Sequence, residues 1–283
     1  MAVRSSGRRA NRKSLRRQPG PRVTLDAMAP GGTLCGYRGD GWQQQTLPVL
    51  AGLVAGDARV SDLRVHGSAS GAAASADRWS DLDLLITATE PVVVAEDLAR
   101  QVGSRLSPVF ASSRGGDASR YCVRLVLRDL RRIDITAAAM ANEEHYRGSA
   151  AQDQDPADTV AGLVDSFRFD AVLAAVKAAR GDVLIGAHLT LQLARHILVI
   201  AMLLRDRDAG TTHHRFGGSR WDAWAARLAQ APAPYTQAGI TAAIRSYTTM
   251  LDEITANSNP PPQLDNSPLH ALLDAVDQHG PTP

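Results

Sequence analysis

A chain of 283 residues with 44% apolar and 21% charged residues is long enough to bury two modest cores, and its composition excludes fibrous and low-complexity classes. Its two cysteines, Cys35 and Cys122, lack metal-ligand spacing, which excludes a disulfide framework or zinc ribbon and suits a reducing, cytoplasmic setting. The net charge of +2 hides an asymmetry, because residues 1–22 hold eight bases and no acid, leaving 23 bases against 29 acids (−6) in the remainder.

The basic segment has no apolar run of the kind a secretory signal needs. Its charge would suit nucleic acid or anionic lipid, but residues 1–40, rich in Arg, Gly, Pro and Ser, are expected to be a disordered tail. A short helix is expected over Gln43–Ala55, leading into a strand at Ser61–His66. The spacer Gly67–Ser80 is small and polar and cannot supply a core. A strand follows at Asp81–Thr87, then a helix over Val92–Leu106 opened by Pro91. Tyr121–Leu127 and Leu130–Ala137 read as two further strands around a tight connection at Arg128-Asp129. This order predicts an α/β (α+β) unit with a mixed sheet over residues 41–146.

The polar stretch 147–158 reads as a linker, and beyond it the apolar period becomes helical. Ser166–Arg180 carries a stripe of Phe169, Val172, Leu173 and Val176. Asp182–Leu204 is apolar on most sides yet holds His188, Gln192, Arg195 and His196, so it reads as the central helix of a bundle and not as a membrane span. Helices near Trp221–Gln230, Tyr235–Ala256 and Pro268–His279 complete an all-helical domain over residues 159–283. His213 and His214 are adjacent, with no acid or cysteine to complete a zinc set, and are expected to cap the bundle from a loop.

The chemistry concentrates in three places. In an extended strand, residues i and i+2 point to one side, so Asp81 and Asp83 share a face while Leu82, Leu84 and Ile86 take the other. Transfer of a nucleotidyl group needs Mg²⁺, two ions clamping the attacking and leaving oxygens, and three carboxylates suit that task. Arg132-Ile133-Asp134-Ile135-Thr136 offers the third, Asp134, with Ile133 and Ile135 directed to the core. Gly67 lets the chain approach a phosphate closely, and the amide and hydroxyl of Ser68 can donate to its oxygens.

The glycine-serine turn, the run Asp77-Arg78-Trp79-Ser80-Asp81-Leu82-Asp83 and the strand around Asp134 together resemble the DNA polymerase β-type nucleotidyltransferase superfamily. Within it they are most similar to the antibiotic-modifying branch, in particular the aminoglycoside 6-adenylyltransferases. The resemblance covers residues 60–137 well and extends more loosely to 205. It implies a five-stranded mixed sheet, ATP as nucleotidyl donor, Mg²⁺, and a helical domain closing over a small-molecule hydroxyl acceptor. Nucleic acid and membrane are not expected partners. Ala69 follows the turn where that family commonly has Arg.

Lys177, on a helix expected to face the sheet, is a candidate contact for the triphosphate. Asp182 is a candidate N-cap for the long helix and, alternatively, an acceptor-side residue or general base. Asp134 could take the acceptor's proton itself or leave that to a helical-domain acid. Glu143, Glu144, Asp165, Asp170 and Asp182 lie near the expected junction and would suit a polycationic acceptor. A protein AMPylator of the antitoxin kind and a non-catalytic nucleotide sensor are the competing readings.

Overall fold

Alternation decides which way the sheet faces. In the computed structural model, which describes residues 41–66, 77–139, 160–210, 219–258, 261 and 264–279, Leu82, Leu84 and Ile86 are buried on one strand and Ile133 and Ile135 on another. Each such side chain contributes about 1.5–3 kcal/mol by leaving water, so a register slip that exposed the row would be prohibitive. The expectations for the basic tail, for Gly67 and Ser68, for the linker and for His213 and His214 lie outside the described residues.

The strands are β1 (Val60–His66), β2 (Leu82–Ala88), β3 (Val109–Gly116), β4 (Arg120–Leu127) and β5 (Arg132–Ala139), in spatial order β1-β2-β5-β4-β3. β2 and β5 pair parallel, and the other three pairings are antiparallel, so the sheet is mixed. Two helices, α1 (Trp42–Val54) and α2 (Pro91–Arg105), accompany it; Leu50, Val54, Leu98 and Val102 meet the apolar row in one core. The all-helical part follows: α3 (Val160–Ala179), α4 (Val183–Ala209), a 3₁₀ turn at Arg220–Asp222, α5 (Ala223–Leu228), α6 (Gln237–Thr255) and α7 (Ser267–His279). The protein thus has the mixed α/β architecture expected, a five-stranded mixed sheet followed by helices.

The helical core does not stop at the helices. Trp79, Phe110, Ala111, Val126 and Leu130, all from the sheet unit, are buried in the same cluster as Phe167, Leu193, Ile197 and Leu251. α3 lies against β3 on one side and α4 on the other. α4 is long and apolar enough to cross a bilayer by length and composition; in this fold it packs against α3 and α6, with His196 buried and paired with Asp170 at 3.0 Å. Between α3 and α4 the chain turns at Gly181, whose φ of +72° is open to glycine without strain.

Five elements differ from the sequence expectation. β2 begins at Leu82, so Asp81 lies before the strand. β5 begins at Arg132, and Leu130 sits in the turn with a φ of +69°. α3 starts earlier and α4 ends later than expected. β3, Val-Phe-Ala-Ser-Ser-Arg-Gly-Gly, carries no strand signal in its composition; it is an edge strand paired with β4 alone.

Candidate active site

On the parallel β2–β5 pair Asp83 lies directly opposite Asp134. Their neighbours Leu82, Leu84, Ile133 and Ile135 are buried in the core, so both carboxylates emerge on the other face of the sheet. Asp81, just ahead of β2, reaches the same point: one ligand oxygen from each of Asp81, Asp83 and Asp134 lies within 4.8 Å of the other two. The expected trio is together in space.

Crowded carboxylates resist ionisation. Burial, and then repulsion from Asp81 and Asp134, pushes the Asp83 carboxyl up to about 7. Burial also raises Asp134, to about 6; Asp81 adds to that rise, while Arg124 and Arg132 oppose it. His66, opposite Asp83 on β1, is shifted the other way, lowered by burial and then by Arg64 and Arg120. A compact, all-oxygen, anionic donor set of this kind fits a hard divalent cation such as Mg²⁺. Asp81, Asp83 and Asp134 are the residues that would hold it.

Two arginines border the trio. Arg132, almost wholly buried, stands 3.7 Å from the Asp81 carboxylate and donates to the carbonyl of Trp79. Arg124 projects from β4 opposite Asp134, 3.3 Å from its Oδ2, with half of its side chain exposed (51%). Sequence reasoning passed over Arg124, because a two-residue connection at Arg128-Asp129 would set it opposite Ile133. The turn takes in Leu130 as well, pairs Leu127 with Arg131 and so sets 124 opposite 134.

The segment before Asp81 is held from several sides. Asp77 accepts from Arg180 Nη2 (2.6 Å) and Nε (3.2 Å), from Ser80 Oγ (2.8 Å) and from the Trp79 amide (2.9 Å). Gln43 Nε2 donates to the carbonyls of Asp77 and Ser80. Arg78, by contrast, is exposed, its guanidinium 6.0 Å from the Trp79 ring centroid. Arg180 lies just beyond the C-terminus of α3, so that end of the helix stands beside the residues leading into Asp81. The pairing spans 103 positions of chain, and no local pattern announces it.

Lys177 lies one turn earlier on α3 and pairs with Asp182 at 3.3 Å. Asp182 also accepts from the Ile185 amide, capping α4. Two other acids expected at the junction have structural partners: Asp165 accepts from the amide and hydroxyl of Ser112, and Asp170 holds His196. Glu143 and Glu144 lie outside the described residues.

No family model matches the chain, and no curated protein does. Among solved structures, the crystal structure of an aminoglycoside 6-adenyltransferase from Bacillus subtilis is similar at 10% identity, covering 84% of this chain and 98% of that one, with a TM-score of 0.28. A likeness this loose carries no functional argument, and the residues of the site must supply one.

Proposed function

We propose that this chain is a metal-dependent nucleotidyltransferase that moves AMP from ATP to a hydroxyl of a small molecule. One observation carries the reading: three carboxylates, two of them opposite each other on parallel strands, converge on one point of an otherwise apolar-backed sheet. A structural role explains such a cluster poorly, because burial and mutual repulsion hold Asp83 and Asp134 above the usual carboxylate range, and among the described residues Arg124 and Arg132 compensate only in part.

Asp81, Asp83 and Asp134 would hold Mg²⁺, which when bound supplies positive charge to the phosphate oxygens. The acceptor oxygen bonds to the α-phosphorus, the α–β bridging bond breaks, and pyrophosphate leaves. The hydroxyl proton passes to a carboxylate, for which Asp134 is the candidate; Asp182 is the alternative, on the acceptor side. Arg124 and Lys177 stand as the cations that meet phosphate, with Gly67 and Ser68 contributing amide and hydroxyl donors. For the acceptor we propose a polycationic hydroxyl compound of the aminoglycoside kind, which suits the acid excess of the chain outside residues 1–22.

The test is a pyrophosphate-release screen with each NTP and Mg²⁺ against aminoglycosides, lincosamides and other hydroxylated compounds. Turnover is expected with ATP and an aminoglycoside. Asp83→Asn should fall to background while keeping the far-UV circular dichroism of the parent. Activity retained in that variant would remove the site assignment, and label from ATP appearing on a protein band would move the reading to protein AMPylation.

A further inference from the structure

Asp83 and Asp134 are placed by the strand ladder, but Asp81 is not. It hangs from the segment Asp77–Ser80, and what fixes that segment fixes Asp81. Trp79 is buried in the helical cluster, Gln43 of α1 holds two of the carbonyls, and Arg132 of β5 holds a third. A further contact comes from the far end of α3. Arg180 places two nitrogens on the two oxygens of Asp77 and one of those nitrogens, Nη2, on Ser80 Oγ at 2.9 Å. Ser80 Oγ in turn donates to Asp77 and accepts from its amide at 3.1 Å, so the guanidinium closes a ring of hydrogen bonds that ends at the residue next to Asp81.

We infer that Arg180 is a positioning residue for Asp81, through which the helical part of the chain sets the metal affinity of the carboxylate site. The inference rests on the proposed reading of Asp81, Asp83 and Asp134 as metal ligands. The planar fork is what the geometry uses: it sets Nε and Nη2 on separate oxygens of Asp77, where an ammonium offers a single nitrogen.

The sign of one effect separates positioning from simple charge. Arg180 is a cation near three carboxylates, so removing it should tighten binding of a divalent cation if it acted only through space. If it acts by holding the segment, removing it should weaken binding. The experiment is Mn²⁺ binding to the full chain, metal alone and no nucleotide, followed by electron paramagnetic resonance. Arg180→Met is expected to bind Mn²⁺ about tenfold more weakly than the parent, the usual scale for a partner that orients a ligand. Arg180→Lys should recover part of that loss.

Unchanged or tighter Mn²⁺ binding in a folded Arg180→Met chain overturns the inference and leaves the proposed activity standing. Should Arg180→Met not fold, Arg180→Gln carries the same comparison, since it also removes the charge and the second nitrogen of the fork. Loss of binding in Asp83→Asn is the control that ties the signal to the site. A parent chain that binds no Mn²⁺ overturns the metal reading and this inference together.

Discussion

Asp83 makes the carboxylate site a source of instability that depends on pH. Its folded-state value near 7 stands above the ordinary 3.8, so between those values the native chain binds the extra proton. Stability contributed by that proton is complete below the unfolded value and is lost as the pH rises through the folded one. The metal-free parent is therefore expected to melt at a lower temperature near pH 8 than near pH 5, and Asp83→Asn should remove part of the difference. At about 2–4 °C per kcal/mol for a chain of this size, the change is within reach of a thermal melt. Mg²⁺ should raise the melting temperature of the parent near pH 8 and leave that of Asp83→Asn in place. A variant with the same pH slope and the same Mg²⁺ response as the parent would contradict the origin assigned to the shift. Arg124 acts at the same scale. Half-exposed and paired with Asp134, it should contribute one charge-assisted hydrogen bond to nucleotide binding. Arg124→Gln is expected to raise KM for ATP about tenfold with a smaller change in kcat, the equivalent of about 1.4 kcal/mol.

Among the elements, the β3–β4 hairpin backs the strand that carries Arg124, and Gly116 is where it is most constrained. Gly116 has a φ of +112°, and a Cβ there would stand 2.2 Å from the carbonyl oxygen of Arg120. Gly116→Ala should therefore cost about 1–3 kcal/mol, read as a lower urea midpoint with an unchanged slope. An unchanged midpoint would mean that the hairpin does not need that turn. The same hairpin shows where sequence reasoning runs out. β2, β4 and β5 are legible because one face is apolar at every second position, and Asp83 and Asp134 follow from that alternation with no further information. β3 is an edge strand whose only strand partner is β4, so its serines and glycines are tolerated and its composition reads as a loop. Asp81 was placed on a strand by the same alternation, but it lies one residue before β2 and owes its position to side chains. Arg180 was invisible for a different reason: its partner Asp77 is 103 positions away, and only the packing of α3 against the sheet brings them together.

At the scale of the whole molecule, α3 is the connection on which the site depends. Near its start Asp165 accepts from Ser112 of β3, and Arg168 stacks 4.9 Å above the Phe110 ring; the residue beyond its end, Arg180, grips Asp77. Along the same span Trp79, Phe110, Ala111, Val126 and Leu130 join the helical cluster, so the boundary between the sheet unit and the helices is itself apolar and buried. An interface in which sheet residues are built into the core of the bundle should not open separately from the parts it joins. The sheet and the bundle are therefore expected to unfold as one cooperative unit. Native-state hydrogen exchange checks this at named amides: Ile133 and Ile135 in the sheet, Ile197 and Leu251 in the bundle, each side chain fully buried. All four should exchange with the same opening free energy and respond equally to urea. Bundle amides that open at a much lower free energy than those of β5 would show two independent units, and Arg180 would then be holding Asp77 across a boundary that opens without disturbing the sheet.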